Sequence, residues 1–409
     1  MLKNYIDKFG MEFFCYTTMY IIFICVAISP SSCLANSEPV STQNVTLDAL
    51  WRGRAHFEQV AKLDWQDRPG FRHEQAGSFT VRDGVWYAFN RAILDESEQD
   101  CRQDHARMVA RSSTDHGRTW SAPIPIVDPG RSAKGDECAV LDGSAYYDRV
   151  SSTWHLLAQC LGRDRDGAPA LWALCHYTRK APSPLGRFES DPANPVVVGG
   201  SLWSRICAGD GKGCPVTTRD EGTPEILGSS QGRFFVTMHG YDPVSGHGFR
   251  GVVSTRDFRA WEVRGQGLPG DATLGPKDCV AWLPRCAGVG EASTVSFPGD
   301  SHRYMIIEAV TKSLACTEGQ DWEFHLLRSP LSGWPRSGTS TWVKFPGKAF
   351  LTTAHASSSS VCPVQYARWI QDRGSTYLVY EDWDRKHGIV DRRLLQLVPG
   401  GAEVPVSNK

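Results

Sequence analysis

The chain has 409 residues, of which 41% are hydrophobic and 22% charged, so it can bury a sizeable core. A formal net charge of −1 leaves no basic footprint for nucleic acid and no acidic tail, which points to a neutral or modestly charged small molecule or glycan. Long amphipathic helical patterns are scarce, while 39 glycines, 24 prolines and 14 tryptophans suit an all-β protein with many corners.

The first element is a targeting segment. Lys3 and Lys8 precede an apolar run from Met19 to Ile28 that is too short to span a bilayer comfortably. Cys33-Leu34-Ala35 then offers a small-x-small cleavage site. Residues 1–35 are therefore expected to be a signal peptide, and the mature protein to be secreted or extracytoplasmic and free of the membrane. Cysteine usage agrees. Cys15, Cys25 and Cys33 lie in this segment, and the remaining ten of 13 form an even set suited to an oxidising compartment. Cys207 with Cys214, and Cys279 with Cys286, are close together in Gly/Pro-rich loops and are expected to bridge locally. Cys160 and Cys175 end and begin neighbouring apolar runs and could pair across strands; Cys101 with Cys138 and Cys316 with Cys362 remain by elimination. No CxxC or HExxH spacing occurs, so a zinc site is not expected. Asn44-Val45-Thr46 is a glycosylation acceptor in a eukaryotic host.

Residues 36–65 read as a lead-in, polar at first and then a strand or short helix between Trp51 and Trp65. A repeating pattern fills residues 66–400, and 401–409 form a tail. In the first unit Arg72, His73 and Glu74 precede a glycine corner at Gly77 and two apolar runs split by a turn, EQAGSFTVRDGVWYAFN. Ser113, Asp115, Gly117, Thr119 and Trp120 then match the Asp-box pattern Ser-x-Asp-x-Gly-x-Thr-Trp. Its carboxylate and hydroxyl satisfy turn amides and its tryptophan packs between sheets, a structural role. The second unit, LDGSAYYDRVSSTWHLLAQC, places Asp142 before its corner. The third, RDEGTPEILGSSQGRFFVTMHGYD, carries Glu221 and Glu225 and runs through His239. The fourth, GEASTVSFPGDSHRYMIIEAV, carries Glu291 and, at the end of its second run, Glu308; the fifth, PVQYARWIQDRGSTYLVYEDW, offers Gln365 and Glu381.

Corners at Gly77, Gly143, Gly222, Gly290 and Pro363 recur every roughly 70 residues, the mark of a radial array of sheets. The expected fold is all-β, a five-bladed β-propeller of four-stranded antiparallel blades. Acids stand within three residues of four of the five corners: Glu74, Asp142, Glu221 or Glu225, and Glu291. A ring of carboxylates about one axis raises the pKa of its members and is costly unless used or paired. Glycoside hydrolysis uses such a ring, one carboxylic acid protonating the leaving oxygen and a second carboxylate activating water or attacking the sugar.

The repeat count, the Asp box and the order of acids resemble the five-bladed propeller glycoside hydrolases, such as family 43 arabinanases and xylosidases and family 32 fructosidases. The resemblance implies a base or nucleophile at Glu74, a pKa-modulating or transition-state-binding aspartate at Asp142 and a general acid at Glu221 in DEGTPEI. Thr223 between the glycine and the proline leaves Glu225 as the alternative acid. Arg72, His73, Trp203, His239 and Glu291 complete the expected substrate-binding set. The implied partner is a carbohydrate, bound by a monomer without a cofactor; a structural calcium in the channel is compatible, though no ligand spacing demands one. A second resemblance, to six-bladed sialidases, rests on Phe71-Arg72 and on Asp104 before the Asp box. It would use Arg72, Arg250 and Arg368 on a substrate carboxylate and Tyr366 as nucleophile. A carbohydrate-binding propeller without catalysis is the third alternative.

Overall fold

The computed structural model of the protein describes residues 45–63, 65, 71–94, 101, 105–132, 135–163, 169–198, 221–242, 247–262, 274–297, 299–311, 322–331, 342–346, 349–352, 356, 362, 364–384 and 389–400. The expected signal peptide, the Cys207–Cys214 pair, Cys316 and Trp203 lie outside them.

The described residues are mostly strand and form successive antiparallel meanders. The first runs through β2 (Phe71–Arg82), β3 (Val85–Leu94), β4 (Ala106–Ser113) and β5 (Ile124–Val127). The second comprises β6 (Ala139–Asp148), β7 (Thr153–Arg163), β8 (Pro169–Arg179) and β9 (Glu189–Ser190). The third consists of β10 (Glu221–Ser230), β11 (Arg233–Asp242), β12 (His247–Thr255) and β13 (Trp261–Glu262). The fourth is built from β14 (Cys286–Val295), β15 (His302–Thr311), β16 (Trp322–Pro330) and β17 (Val343–Lys344). The last holds β18 (Val364–Asp372), β19 (Ser375–Asp384) and β20 (Ile389–Pro399), and its fourth strand is β1 (Ala55–Leu63), paired antiparallel to β20. Part of the expected lead-in is thus a strand of the final sheet. A short helix, α1 (Leu47–Trp51), capped by the Thr46 side chain, precedes it.

Both faces of the second strands are buried, which explains their near-continuous apolar runs. On β3, Tyr87 and Phe89 pack with Trp154 and Leu156 of the second meander, while Trp86 and Ala88 pack with Tyr377, Val379 and Leu394 of the last. On β15, Tyr304 and Ile306 face the last meander, and Met305 and Ile307 turn to the opposite side. Period-2 alternation therefore distributes each strand between two neighbouring cores. The turn after β4 is held as its sequence requires: Gly117 N donates to Ser113 Oγ at 2.9 Å, Thr119 N to Asp115 at 2.9 Å, and Trp120 packs edge-on against Trp65. Disulfides Cys101–Cys138, Cys160–Cys175 and Cys279–Cys286 are formed, as expected.

The sequence corners have a different structure from the one their composition suggests. Gly77, Gly143, Gly222 and Gly290 lie at β-bulges inside the first strand of their meanders, not at entries to it, while Pro363 lies outside the described residues and the bulge of the last meander follows Gln365. Ladder pairing is interrupted between Ala76 and Ser78, Leu141 and Ser144, Gly222 and Glu225, Val289 and Ala292, and Gln365 and Arg368. A bulge bends a strand and re-aims the side chain at its apex. Three apex residues, Asp142, Thr223 and Tyr366, adopt φ of 48°, 40° and 52°. A threonine or tyrosine there is strained, and such strain is found where function or tight packing demands it.

Just past the bulges, side chains tie neighbouring first strands together. Ser144 Oγ accepts from Ile226 N at 3.1 Å, Glu225 Oε1 from Thr294 N at 2.7 Å and Ser293 Oγ from Trp369 N at 3.2 Å. The Arg368 guanidinium donates to Gly77 O and Ala292 O, and Thr80 Oγ1 to Ala145 O at 2.9 Å. Taken in turn, these bonds link β6 to β10, β10 to β14, β14 to β18, β18 to β2 and β2 to β6.

Candidate active site

The bulges gather a polar cavity of about 250 Å³. Bulge residues Asp142, Thr223, Glu291 and Tyr366 line it, and second-strand residues Arg91, Gln159, His239 and Glu308 stand beside them, with Trp172 and Trp322 also in its wall. Register explains the partnership: Leu141 pairs with Gln159 and Gly222 with His239, each immediately before its bulge, and Gln75 pairs with Arg91 one position earlier in β2. Gly222 leaves room for Gln159, since a Cβ there would meet its Oε1 at 2.7 Å and push the amide aside.

Two acids of the cavity each leave one oxygen open. Asp142, 8% exposed, receives Arg91 Nη1 on Oδ2 at 3.2 Å. Its Oδ1 is buried without a hydrogen-bond partner among the described residues. Glu291, 4% exposed, receives the Arg368 guanidinium on Oε1, and its Oε2 likewise has no partner among the described residues. Burial raises the Glu291 carboxyl well above the usual carboxylate range. Glu308 and Asp142 add to that rise, whereas Arg368 and Arg250 oppose it. The Arg91 guanidinium also contacts Gln75 and the Tyr366 hydroxyl. Burial drives the Tyr366 phenol far above its ordinary value despite Arg91, so it meets the cavity as a neutral hydroxyl.

The other expected site residues are placed differently. Glu74 does not line this cavity. It is fully buried, with Arg111 bridging both its oxygens at 2.7–3.2 Å and Asn90 donating to Oε1. Both partners belong to the first meander, Asn90 on β3 and Arg111 on β4, and the Arg111 guanidinium in turn lies 5.9 Å from the Trp65 ring. Glu225 stands beyond its bulge and lines a second cavity of about 230 Å³, while its Oε1 accepts the Thr294 amide. Burial raises its carboxyl too, with the Thr294 amide opposing. Arg250 and Arg368, nominated for a substrate carboxylate, are buried and occupied. Arg250 donates to Thr223 O at 2.9 Å and Gly290 O at 3.2 Å, and Arg368 binds Gly77 O, Ala292 O and Glu291. Glu221 opens β10, and Arg72 and His73 lie on β2; the side chains of all three fall outside the described residues.

Arg91, Gln159, Trp172 and Trp322 were not anticipated as site residues, yet a signal for the second-strand group exists. Each second apolar run ends in a polar residue: Arg91 after VWYAFN, then Gln159, His239, Glu308 and Glu381. Four of these line the cavity. The fifth, Glu381, is fully buried beside Arg392 and Trp383.

No protein-family model and no curated protein sequence matches the chain. Solved structures do. The structure of BT0996, from a complex with RGII in its description, matches with a TM-score of 0.56 at 10% identity, over 90% of this chain and 100% of the other. A glycoside hydrolase matches with a TM-score of 0.54 at 11% identity, over 89% and 100%. A thermostable family-43 glycoside hydrolase gives 0.51 at 13%, over 84% and 99%. At these identities the likeness shows a shared all-β fold, and chemistry has to be argued from the site.

Proposed function

We propose that this protein is a secreted, five-bladed β-propeller glycoside hydrolase in which Asp142 and Glu291 are the working carboxylates. The observation that carries the reading is their convergence, from separate meanders, on one cavity, each with one buried oxygen uncommitted. The likeness to glycoside hydrolase structures supports it, and so do the cyclic order of bonds between first strands and the pairing of β1 with β20.

In this reading Glu291 is the general acid. Burial keeps its proton, and Oε2 delivers it to the glycosidic oxygen as the bond from that oxygen to the anomeric carbon breaks. Asp142 supplies the second carboxylate, held in place by Arg91, and either takes a proton from the attacking water or bonds to the anomeric carbon. Trp172 and Trp322 offer apolar faces against which a sugar ring can stack. The neutral Tyr366 hydroxyl, Gln159 and His239 are placed to hydrogen-bond sugar hydroxyls. The sialidase-like alternative is weakened by the arginines, because Arg250 and Arg368 already serve main-chain carbonyls.

The test is a panel of chromogenic furanosides, pyranosides and a sialoside. Asp142→Asn and Glu291→Gln should each lower kcat/KM on the active substrate by about 10³-fold or more, with far-UV spectra unchanged. Wild-type turnover in either variant would sink the assignment. So would a Glu221→Gln variant that is dead while Glu291→Gln stays active.

A further inference from the structure

One acid of the cavity has no task in this scheme. Glu308 lies on β15 opposite the bulge formed by Gly290 and Glu291, is 6% exposed, and lines the same cavity. Its Oε2 accepts the Glu291 main-chain N–H at 2.9 Å, so it grips the backbone of the residue whose carboxyl it also faces. Gly290 makes room for this contact: a Cβ at that position would meet Glu308 Oε2 at 2.7 Å.

Resting on the carboxylate pair described above, we propose that Glu308 is a positioning residue for Glu291: it fixes the bulge that aims Glu291 into the cavity and sets a negative charge against the Glu291 carboxyl.

Two interacting buried carboxyls do not both ionise readily, and differences in their surroundings decide which keeps the proton. Burial raises both. The amide donated to Glu308 favours its ionised form, and Arg368 and then His239 work in the same direction. Glu291 is the one raised well above the usual range, and Glu308 adds to that rise. The other groups acting on Glu291 are Asp142 from β6, Arg368 and Tyr366 from β18, Arg250 from β12 and Arg91 from β3. Asp142 acts in the same direction as Glu308, and Arg368 and Arg250 oppose them. Glu308 thereby extends the pH range over which the acid stays protonated.

Two substitutions separate the effects of charge and grip. Glu308→Gln removes the charge but leaves an oxygen able to accept the Glu291 amide. The alkaline limb of its kcat/KM–pH profile should move to lower pH by about one unit, with only a small loss at the optimum. Glu308→Asp keeps the charge but withdraws the carboxylate from the amide. Its alkaline limb should stay near that of wild type, while kcat falls about tenfold or more. If Glu308→Gln folds, as judged by its far-UV spectrum, and leaves the alkaline limb where it is, the inference fails. An alkaline limb that moves equally in both variants would reduce Glu308 to a packing role and also overturns it. Glu291→Gln distinguishes the two levels: an active Glu291→Gln removes the underlying assignment, whereas a dead Glu291→Gln with an unmoved Glu308→Gln limb removes only the role of Glu308.

Discussion

Glu74 and Glu291 make an instructive pair. Both are buried glutamates on the first strand of a meander, and both face an arginine. Glu74 meets Arg111 through both oxygens and adds Asn90, so its acceptor capacity is taken up. Glu291 meets Arg368 through one oxygen and presents the other in the cavity wall. A buried carboxylate with a complete set of partners is a structural joint. One that keeps an oxygen back, and is pushed toward its protonated form, is equipped for proton transfer. Glu225 falls between the two: its Oε1 holds the Thr294 amide, its Oε2 has no partner among the described residues and burial raises its carboxyl, but it lies past its bulge and lines the other cavity, whereas Asp142 and Glu291 sit within their bulges.

The sharpest way to break this comparison is to make both glutamines. Glu74→Gln strips the charge from a buried ion pair and should cost about 3–5 kcal/mol of stability in urea titration, while turnover per folded molecule stays near wild type. Glu291→Gln should show the reverse balance, losing turnover far more than stability. Equal loss of turnover in the two folded variants would erase the distinction between joint and acid.

A smaller effect tests a covalent counterpart of the Glu74 joint, one that likewise ties strands of a single meander. The Cys160–Cys175 bridge spans 15 residues across β7 and β8. Replacing both cysteines by alanine should cost about 3 kcal/mol at most and leave the cavity residues in place, so activity at 25 °C should persist. A variant that stays folded but inactive would mean that the second meander is held by more than local packing.

A further effect concerns pH. His155 and His176 stack at 5.3 Å with 3.1 Å between Nδ1 and Nε2, at the contact with Phe258 of the third meander. Burial brings both imidazoles down to about 4; His176 lowers His155 further, and Asp191 opposes the fall of His176. Because their folded values lie below the unfolded value of 6.5, the unfolded chain binds more protons between pH 6.5 and 4. Stability is therefore lost as pH falls through that window, by about 2 kcal/mol per histidine at pH 5. A melting midpoint that is the same at pH 7 and pH 5, or a drop that survives His155→Phe undiminished, would remove this source of acid sensitivity.

Much of the architecture was legible because it is periodic. Apolar runs such as FFVTM and YMII, split by turn residues, announced strand pairs; close spacing announced the Cys279–Cys286 bridge and neighbouring apolar runs the Cys160–Cys175 one, whereas Cys101–Cys138 was reached only by elimination. The corners were visible too, but as composition alone. Gly143 and Gly290 mark bulges inside strands, and a bulge is known only from the partner strand that it slips against. The acids were legible as a ring and illegible as individuals. Glu74 stands three residues before Gly77 and Asp142 one before Gly143, yet strand alternation and the bulge send one into an ion pair within the first meander and the other into the cavity.

By itself, then, the amino-acid order determined the strand class, the repeat and the stock of carboxylates, because these follow from side-chain periodicity and residue type over short distances. Only the tertiary structure decided which carboxylates face each other and which are neutralised. The arginines that make that choice, Arg111 for Glu74 and Arg368 for Glu291, lie 37 and 77 residues away along the chain, beyond the reach of any local pattern.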